Sequence, residues 1–118
     1  MLRIFVEKIV DVAIVECEGS IVRSEEAFKL FKGVTSQAGA RVILLDLSAV
    51  RFVKGGGLGI FLLLHCWTQE HEIGLKLFNP RNPVRYSLEV ASPKFDFATL
   101  GEMRALLAPS DKHYAAAA

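Results

Sequence analysis

The feature that most constrains the fold is an almost purely apolar segment, residues 42–47, which precedes three consecutive glycines and a second apolar segment. A strand this apolar is typical of a sheet that is covered on both faces. The second segment, residues 58–71, has the length of a helix and is apolar around most of its girth. The two segments predict a strand–turn–helix unit of an α/β fold, with Asp46 at the carboxyl end of the strand and a short turn after it.

The rest of the hydrophobic pattern predicts further strands and helices in alternation, after an initial β-hairpin. Alternation of this kind favours right-handed crossovers onto a mostly parallel sheet. We therefore expect one α/β domain over residues 1–108, with a mixed sheet of about five strands and four helices mainly on one face, and a disordered tail over residues 109–118. The expected strands are residues 4–6, 12–18, 42–47, 75–78 and 94–97, and the expected helices are residues 24–38, 58–71, 80–91 and 100–107.

Capping motifs in the sequence predict where two of the helices begin. Asn79 followed by Pro80 is typical of an N-cap with proline at the first helical position. Thr99, followed three residues later by Glu102, forms a capping-box pattern before the last helix.

Composition excludes several classes of function. Fourteen Lys and Arg residues against thirteen Asp and Glu residues leave no basic footprint for nucleic acid. No apolar run is long enough to cross a membrane, and the start lacks the layout of a signal peptide. Cys17 and Cys66 are far apart and are expected to be reduced, buried thiols. We therefore expect a cytoplasmic protein, and we expect no cofactor.

The glycine cluster, residues 55–57, has two interpretations of its own. Glycine is costly to order, so either the backbone must be bare there or side chains have been lost. A helix start rich in backbone N–H groups could hold a phosphate. Neither common nucleotide motif is met, because Ile60 stands where a dinucleotide fingerprint needs glycine and Lys54 precedes the glycines rather than following them.

Other candidate chemistry is sparse. Asp46 could be a phospho-acceptor, but an acidic pair after the first strand is missing, and a hydrogen bond to nearby backbone N–H groups is the simpler role. His65 and His71 point to different sides of a helix, so they do not predict a metal site with Cys66. Trp67 is either a core residue or a partner anchor. No catalytic arrangement emerges, and we expect no enzyme.

A loose basic group is formed by Lys76, Arg81 and Arg85, around the fourth strand and third helix. Such a group is either a solvated face or a docking patch for an acidic partner.

The order of elements and residues 42–63 together resemble a STAS domain, the module of anti-sigma-factor antagonists and of sulfate-transporter tails. The family pattern is an apolar strand, Asp-Leu-Ser, an aromatic residue, Asp-Ser-Ser-Gly-Leu-Gly and an apolar helix. The matching residues here are Asp46, Leu47, Ser48, Phe52, Gly57, Leu58 and Gly59, with Leu77, Asn79, Pro80, Val84, Leu88 and Glu89 similar to the downstream part of the pattern.

The resemblance implies a binding module. In the antagonist branch the unmodified protein binds an anti-sigma factor that is also a serine kinase, and phosphorylation of the second serine of the motif breaks the complex. This chain departs from that pattern, because Lys54 stands at the aspartate and Gly55 and Gly56 stand at the two serines. Gly56 is therefore a degenerate phospho-acceptor position without a hydroxyl.

Our hypothesis is a non-catalytic module that binds a protein partner of the anti-sigma-factor or kinase type. The expected partner-binding residues are Lys54, Gly55, Gly56, Gly57 and Leu58. Phosphorylation elsewhere, for instance on Ser48, and a weak homodimer remain open. The alternatives are an anion or nucleotide sensor at the glycine-rich helix start, assisted by Lys54, and a STAS subunit of a membrane transport complex.

Overall fold

The fold was analysed in a computed structural model, which describes residues 1–107. The predicted domain boundary at residue 108 and the predicted tail, residues 109–118, lie outside the described residues.

Five strands form one sheet, and their order in the sheet follows their order in the chain. The first two strands pair antiparallel as a hairpin, and every later neighbour pairs parallel. The predicted mixed sheet is thus confirmed. The strands are β1 (Leu2–Ile9), β2 (Val12–Ile21), β3 (Val42–Val53), β4 (Gly74–Phe78) and β5 (Phe97–Ala98), and the helices are α1 (Ser24–Thr35), α2 (Gly56–Glu70), α3 (Asn82–Ala91) and α4 (Leu100–Leu106).

The hydrophobic core lies between one face of the sheet and the first three helices. Alternate residues of the strands point to this face, because the side-chain period of a strand is two. Each of the three helices contributes fully buried apolar side chains to the same cluster. The central members are Val15, Cys17, Leu30, Val34, Ile43, Leu45, Leu47, Phe61, Leu64, Leu77, Val84 and Leu88.

Helix α4 is attached differently. It has no buried residue, and the predicted capping box of Thr99 and Glu102 is present at its start. Glu102 also contacts Lys76, whose Nζ lies 2.6 Å from Asp96 Oδ2 and 3.4 Å from Glu102 Oε2. Lys76 alternates with the core residues Leu75 and Leu77, so it lies on the opposite face of the sheet. The prediction that the helices pack mainly on one face holds for α1, α2 and α3.

The predicted end of the third strand was wrong. Instead of stopping near Asp46, β3 continues to Val53 and pairs with β2 along most of its length. Irregularities in the register interrupt the ladder, the first of them between Glu16 and Glu18 of β2. Because of these irregularities, the inward-facing residues after Leu47 are Val50 and Val53. Their spacing is not the period of two that predicts a strand.

The predicted start of the third helix was also wrong. Asn79 has a φ of 53°, in the left-handed region that asparagine tolerates better than most residues, and lies in the loop after β4. The N-cap of α3 is Arg81, and its first-turn proline is Pro83 rather than Pro80. With the start moved by two residues, Arg81 precedes the helix, and its Nε donates to the Ser48 carbonyl of β3.

The first helix is shorter than its pattern. It ends at Thr35, and residues 36–39 form a turn that Gly39 closes. The longest helix of residues 1–107 is α2, and no helix in this part of the chain combines the length and apolar character needed to cross a bilayer.

Candidate functional site

The start of α2 is built on a tight turn. The Gly57 N–H donates to the Lys54 carbonyl at 2.9 Å, and Gly55 has φ 52° and ψ −120°. These are the angles of the first central position of a type II′ turn, which glycine occupies without steric cost. Gly55 is therefore a glycine that the turn requires.

Gly57 meets a different demand, which is close packing. A Cβ atom at this position would lie 1.9 Å from the carbonyl oxygen of Ile21, at the end of β2. The same carbonyl accepts a hydrogen bond from the Lys54 N–H at 3.2 Å. The first turn of α2 is thus pressed against the end of β2, and a side chain at position 57 has no space.

Gly56 meets neither demand. It is exposed, its φ is not positive, and a Cβ there would lie 3.7 Å from the Val22 carbonyl oxygen, an ordinary van der Waals distance. The two interpretations of the glycine cluster therefore apply to different glycines: the backbone must be bare at Gly55 and Gly57, whereas Gly56 stands where a side chain fits.

The start of α2 carries no capping group. Gly55 supplies no side-chain acceptor, and the first turn contains no acidic residue. Within residues 1–107 no acceptor is found for the Gly56 N–H. This one free N–H group and the positive end of the helix dipole attract an oxygen acceptor or a negative charge from outside.

Lys54 adds a full positive charge beside the free Gly56 N–H group. The residue is exposed, and its Nζ lies 5.1 Å from the centroid of the Phe52 ring, within the range of a cation–π interaction. Phe52 itself is 50% exposed. The charge and the ring together present a polar and apolar surface next to the helix start.

Leu58 differs from the other predicted binding residues. It is half-buried and packs against the core, so only part of it is available to a partner. Sequence reasoning missed the outward apolar residues of α2, Leu62 (40% exposed) and Leu63 (53% exposed). The signal was a helix that is apolar on all sides, because one of those sides must face away from the core.

Cys66 continues this outward face, since Gly59, Leu62, Leu63 and Cys66 recur at helical spacing and all are exposed. The prediction of two buried thiols was therefore right for Cys17 only. Burial raises the pKa of the Cys17 thiol to about 12, with the nearby charge of Asp46 adding to the effect. Both thiols are free.

Asp46 makes the predicted local hydrogen bonds, although it does so within β3 and not in a turn. Its Oδ1 accepts from the Ser48 N–H at 3.0 Å and from the Ser48 hydroxyl at 2.7 Å. Ser48 is half-buried, and its carbonyl accepts from Arg81 Nε at 3.3 Å. Asp46 and Ser48 thus make local hydrogen bonds in the irregular part of β3.

The other candidate residues do not converge on this site. Trp67 is half-buried against the core, and its ring stacks on His71 with centroids 4.3 Å apart. His65 packs edge-on against Phe95. Among residues 1–107 no three His, Cys, Asp or Glu side chains are grouped as metal ligands would be.

The predicted basic group is divided in the structure. Lys76 is paired with acidic residues of β5 and α4, and Arg85 lies over the Phe97 ring at 4.4 Å while its Nε is 3.5 Å from Glu89. Arg81 stands apart, bonded to the Ser48 carbonyl of β3. The three residues do not form one docking patch.

Comparison with solved structures shows which fold this is. An anti-sigma-factor antagonist from Mycobacterium paratuberculosis aligns with a TM-score of 0.71 at 22% identity, covering 91% of this chain and 94% of that one. The unphosphorylated form of the anti-sigma-factor antagonist SpoIIAA aligns at 0.69 and 15% identity, covering 86% and 92%. A serine-to-glutamate variant of RsbS from Moorella thermoacetica aligns at 0.69 and 13%, covering 93% and 98%.

Searches against protein-family models and curated proteins gave no match. At these identities the structural likeness establishes the fold, which is the single STAS-like α/β domain expected from the sequence.

Proposed function

We propose that this protein is a non-catalytic binding module that docks an anti-sigma factor of the serine-kinase type, and that its docking loop is not switched by phosphorylation. The docking surface comprises the exposed loop residues Lys54, Gly55 and Gly56 together with the outward residues of α2. Two free thiols agree with a reducing, cytoplasmic compartment.

The observation that carries the proposal is the continuity of this surface. The loop leads directly into α2, whose outward face places Leu62 and Leu63 in solvent. Exposed leucines next to each other on a helix are typical of a protein interface, because water contact with them is unfavourable. The fold shared with anti-sigma-factor antagonists makes a regulatory protein the natural occupant.

Charge indicates what the partner brings. The uncapped start of α2 and the Lys54 ammonium both favour an acidic or carbonyl-rich contact. A partner carboxylate placed there would accept from the free Gly56 N–H and pair with Lys54. In this arrangement the partner caps the helix.

The loop has no hydroxyl to modify. None of residues 52–59 is Ser, Thr or Tyr, and Gly56 stands at the position of the family's phospho-acceptor. Phosphate bulk and charge at such a position would oppose docking. We infer that binding by this loop is constitutive, and that any control acts elsewhere.

A small ligand at the glycine loop is the weaker alternative. The cavity that borders Lys54 has a volume of only about 30 Å³, between β3 and α3. That is close to the space of one water molecule. A protein surface suits the exposed loop better than a nucleotide does.

Binding of the purified anti-sigma factor encoded beside the gene tests the docking surface. We expect Leu63→Arg to weaken the complex by at least about 10-fold, because it places a charge in the apolar part of the interface. The matched control is Leu100→Arg, since Leu100 is similarly exposed (51%) but lies at the start of α4. Leu58→Arg is unsuitable, because Leu58 packs against the core. Equal affinities for wild type and Leu63→Arg would contradict the proposal.

A restored hydroxyl tests the missing switch. We expect Gly56→Ser to fold, bind and gain one phosphoryl group from the partner kinase and ATP, since position 56 has space for the side chain. Gly59→Ser is the control, because a Cβ at position 59 meets nothing within 4 Å and the position lies further along α2. Intact mass and peptide mapping give the result. Equal phosphorylation of Gly56→Ser and Gly59→Ser, or a phosphorylated Gly56→Ser that still binds, would contradict the proposal.

A further inference from the structure

A second surface feature lies on the face of the sheet opposite α1, α2 and α3. It is a cleft with a volume of about 430 Å³, bordered by β1, β2, β3 and the start of α3. This volume is within the range of small-molecule sites. The side chains that define its charge are those of Arg3, Glu18, Arg51 and Arg81.

The charges of this cleft are unbalanced. Arg3 pairs with Glu18, so these two neutralise each other. Arg81 uses its Nε to donate to the Ser48 carbonyl, which leaves its two terminal NH₂ groups without an acceptor among the described residues. The Arg51 side chain makes no hydrogen bond or ion pair within residues 1–107. Two positive charges therefore remain uncompensated at one cleft.

The two arginines come from separate elements, and both are exposed. Arg51 is part of β3, and Arg81 is the N-cap of α3, fixed to β3 by its bond to Ser48. Guanidinium groups carry planar sets of donors that match phosphate oxygens. A tetrahedral phosphate offers oxygens in several directions, so it can engage two guanidinium groups, whereas a single carboxylate suits one.

We propose that this cleft binds a small phosphomonoester dianion. Its two charges would balance those of Arg51 and Arg81, and the remaining volume would hold a body the size of a small sugar. None of the cleft's lining residues is aromatic, so stacking of a base is not favoured. The cleft and the docking surface of α2 lie on different faces, and the inference stands independently of the proposed function.

The test uses NMR of the arginine side chains. The protein is labelled with ¹⁵N and titrated with ribose 5-phosphate, with inorganic phosphate and, for comparison, with the dicarboxylate malonate. We expect saturable shifts of the Arg51 and Arg81 Nε–H signals with both phosphates, and tighter binding of the sugar phosphate. Arg51→Gln should weaken binding at least about 10-fold, as expected when a charged hydrogen-bonding partner is lost.

Control variants distinguish specific binding at the cleft from nonspecific attraction of phosphate to positive charge. Arg104→Gln removes an exposed arginine of α4 outside the cleft and should leave the affinity unchanged. Arg81→Lys keeps the positive charge but not the planar set of donors, and it should weaken phosphate binding. It serves in place of Arg81→Gln if loss of the charge lowers the stability of the protein. Lys54→Gln should have no effect, because Lys54 does not line this cleft.

Three results would overturn the proposal. The first is a shift that does not saturate, or that is equal for Arg104 and Arg51, since it would show only screening of charge. The second is tighter binding of malonate than of ribose 5-phosphate. The third is loss of binding in Lys54→Gln with retention in Arg51→Gln, which would place the phosphate at the glycine loop.

Discussion

Helices α1 and α2 both follow strands of the parallel part of the sheet, yet their starts are opposite in character. At α1, Glu26 is only 8% exposed and its Oε1 accepts from the N–H groups of Val22 and Arg23, both at 3.0 Å. Its Oε2 lies 2.5 Å from the ammonium group of Met1. At α2 there is no carboxylate, no capping side chain and no acceptor for the Gly56 N–H among the described residues.

The two helix ends therefore have different roles in the same sheet. The start of α1 carries two acidic side chains of its own, Glu25 and Glu26, and the Glu26 carboxylate is hydrogen-bonded within the chain. This helix end therefore contributes to stability and offers little to an acidic partner. The start of α2 is held in shape by steric fit at Gly55 and Gly57, while among the described residues its Gly56 N–H has no acceptor and its first turn has no acidic side chain. Stability and availability for binding are thus assigned to different helices.

The largest expected effect is at Gly57. Gly57→Ala places a Cβ 1.9 Å from the Ile21 carbonyl oxygen, so the backbone of α2 or β2 must move. We expect a loss of about 3 kcal/mol or more in the free energy of unfolding, as for a severely overpacked position. Urea unfolding followed by circular dichroism measures it. A loss below that of Gly55→Ala would show that the two elements are not pressed together.

Removing the carboxylate of α1 should have the next largest effect. Glu26→Gln keeps the shape but weakens the hydrogen bonds, and a loss of about 1–3 kcal/mol is expected for bonds to a charged group. Those backbone hydrogen bonds, that of Arg23 first, together with the N-terminal ammonium, lower the pKa of Glu26 from 4.5 to about 2.

This pKa also gives the direction of the pH dependence. A carboxyl whose pKa is lowered by folding stabilises the protein fully above its ordinary pKa, and the stabilisation disappears as the pH falls from 4.5 towards about 2. The difference in stability between wild type and Glu26→Gln should therefore shrink over that interval. A difference that stays constant would indicate that the carboxylate is not the cause.

The smallest effects distinguish Gly55 from Gly56. Gly55→Ala forces alanine into a left-handed turn conformation and should cost about 1–3 kcal/mol. Gly56→Ala should be neutral or stabilising by up to about 1 kcal/mol, because the position has space and alanine restricts the unfolded chain. Thermal unfolding of both variants measures the contrast. Equal losses would mean that position 56 is as constrained as position 55.

The sequence predicted the fold well because its signals are local. Strand alternation in the hairpin, the apolar stretch around Leu45 and the capping box at Thr99 all lie within a few residues of what they determine. The end of β3 was missed for a physical reason: the register irregularities change which side chains face inward, so the pattern loses its period after Asp46.

The site was less predictable, because its properties depend on contacts between distant residues. Gly55, Gly56 and Gly57 are identical letters, and only the position of the Ile21 and Val22 carbonyl groups separates their roles. The arginine cleft was missed altogether. Arg3, Arg51 and Arg81 have no common spacing, and they meet only because the start of β1, the last residues of β3 and the start of α3 border one cleft.

The contact between Gly57 and Ile21 has a consequence for the thermodynamics of association. A run of glycines normally makes a flexible segment, which loses conformational entropy when a partner immobilises it. Here the segment is already held by the hydrogen bond from Lys54 to Ile21, by the turn closed at Gly57 and by the steric contact with β2. A partner therefore meets a preorganised surface, and little of its binding free energy is spent on ordering the loop.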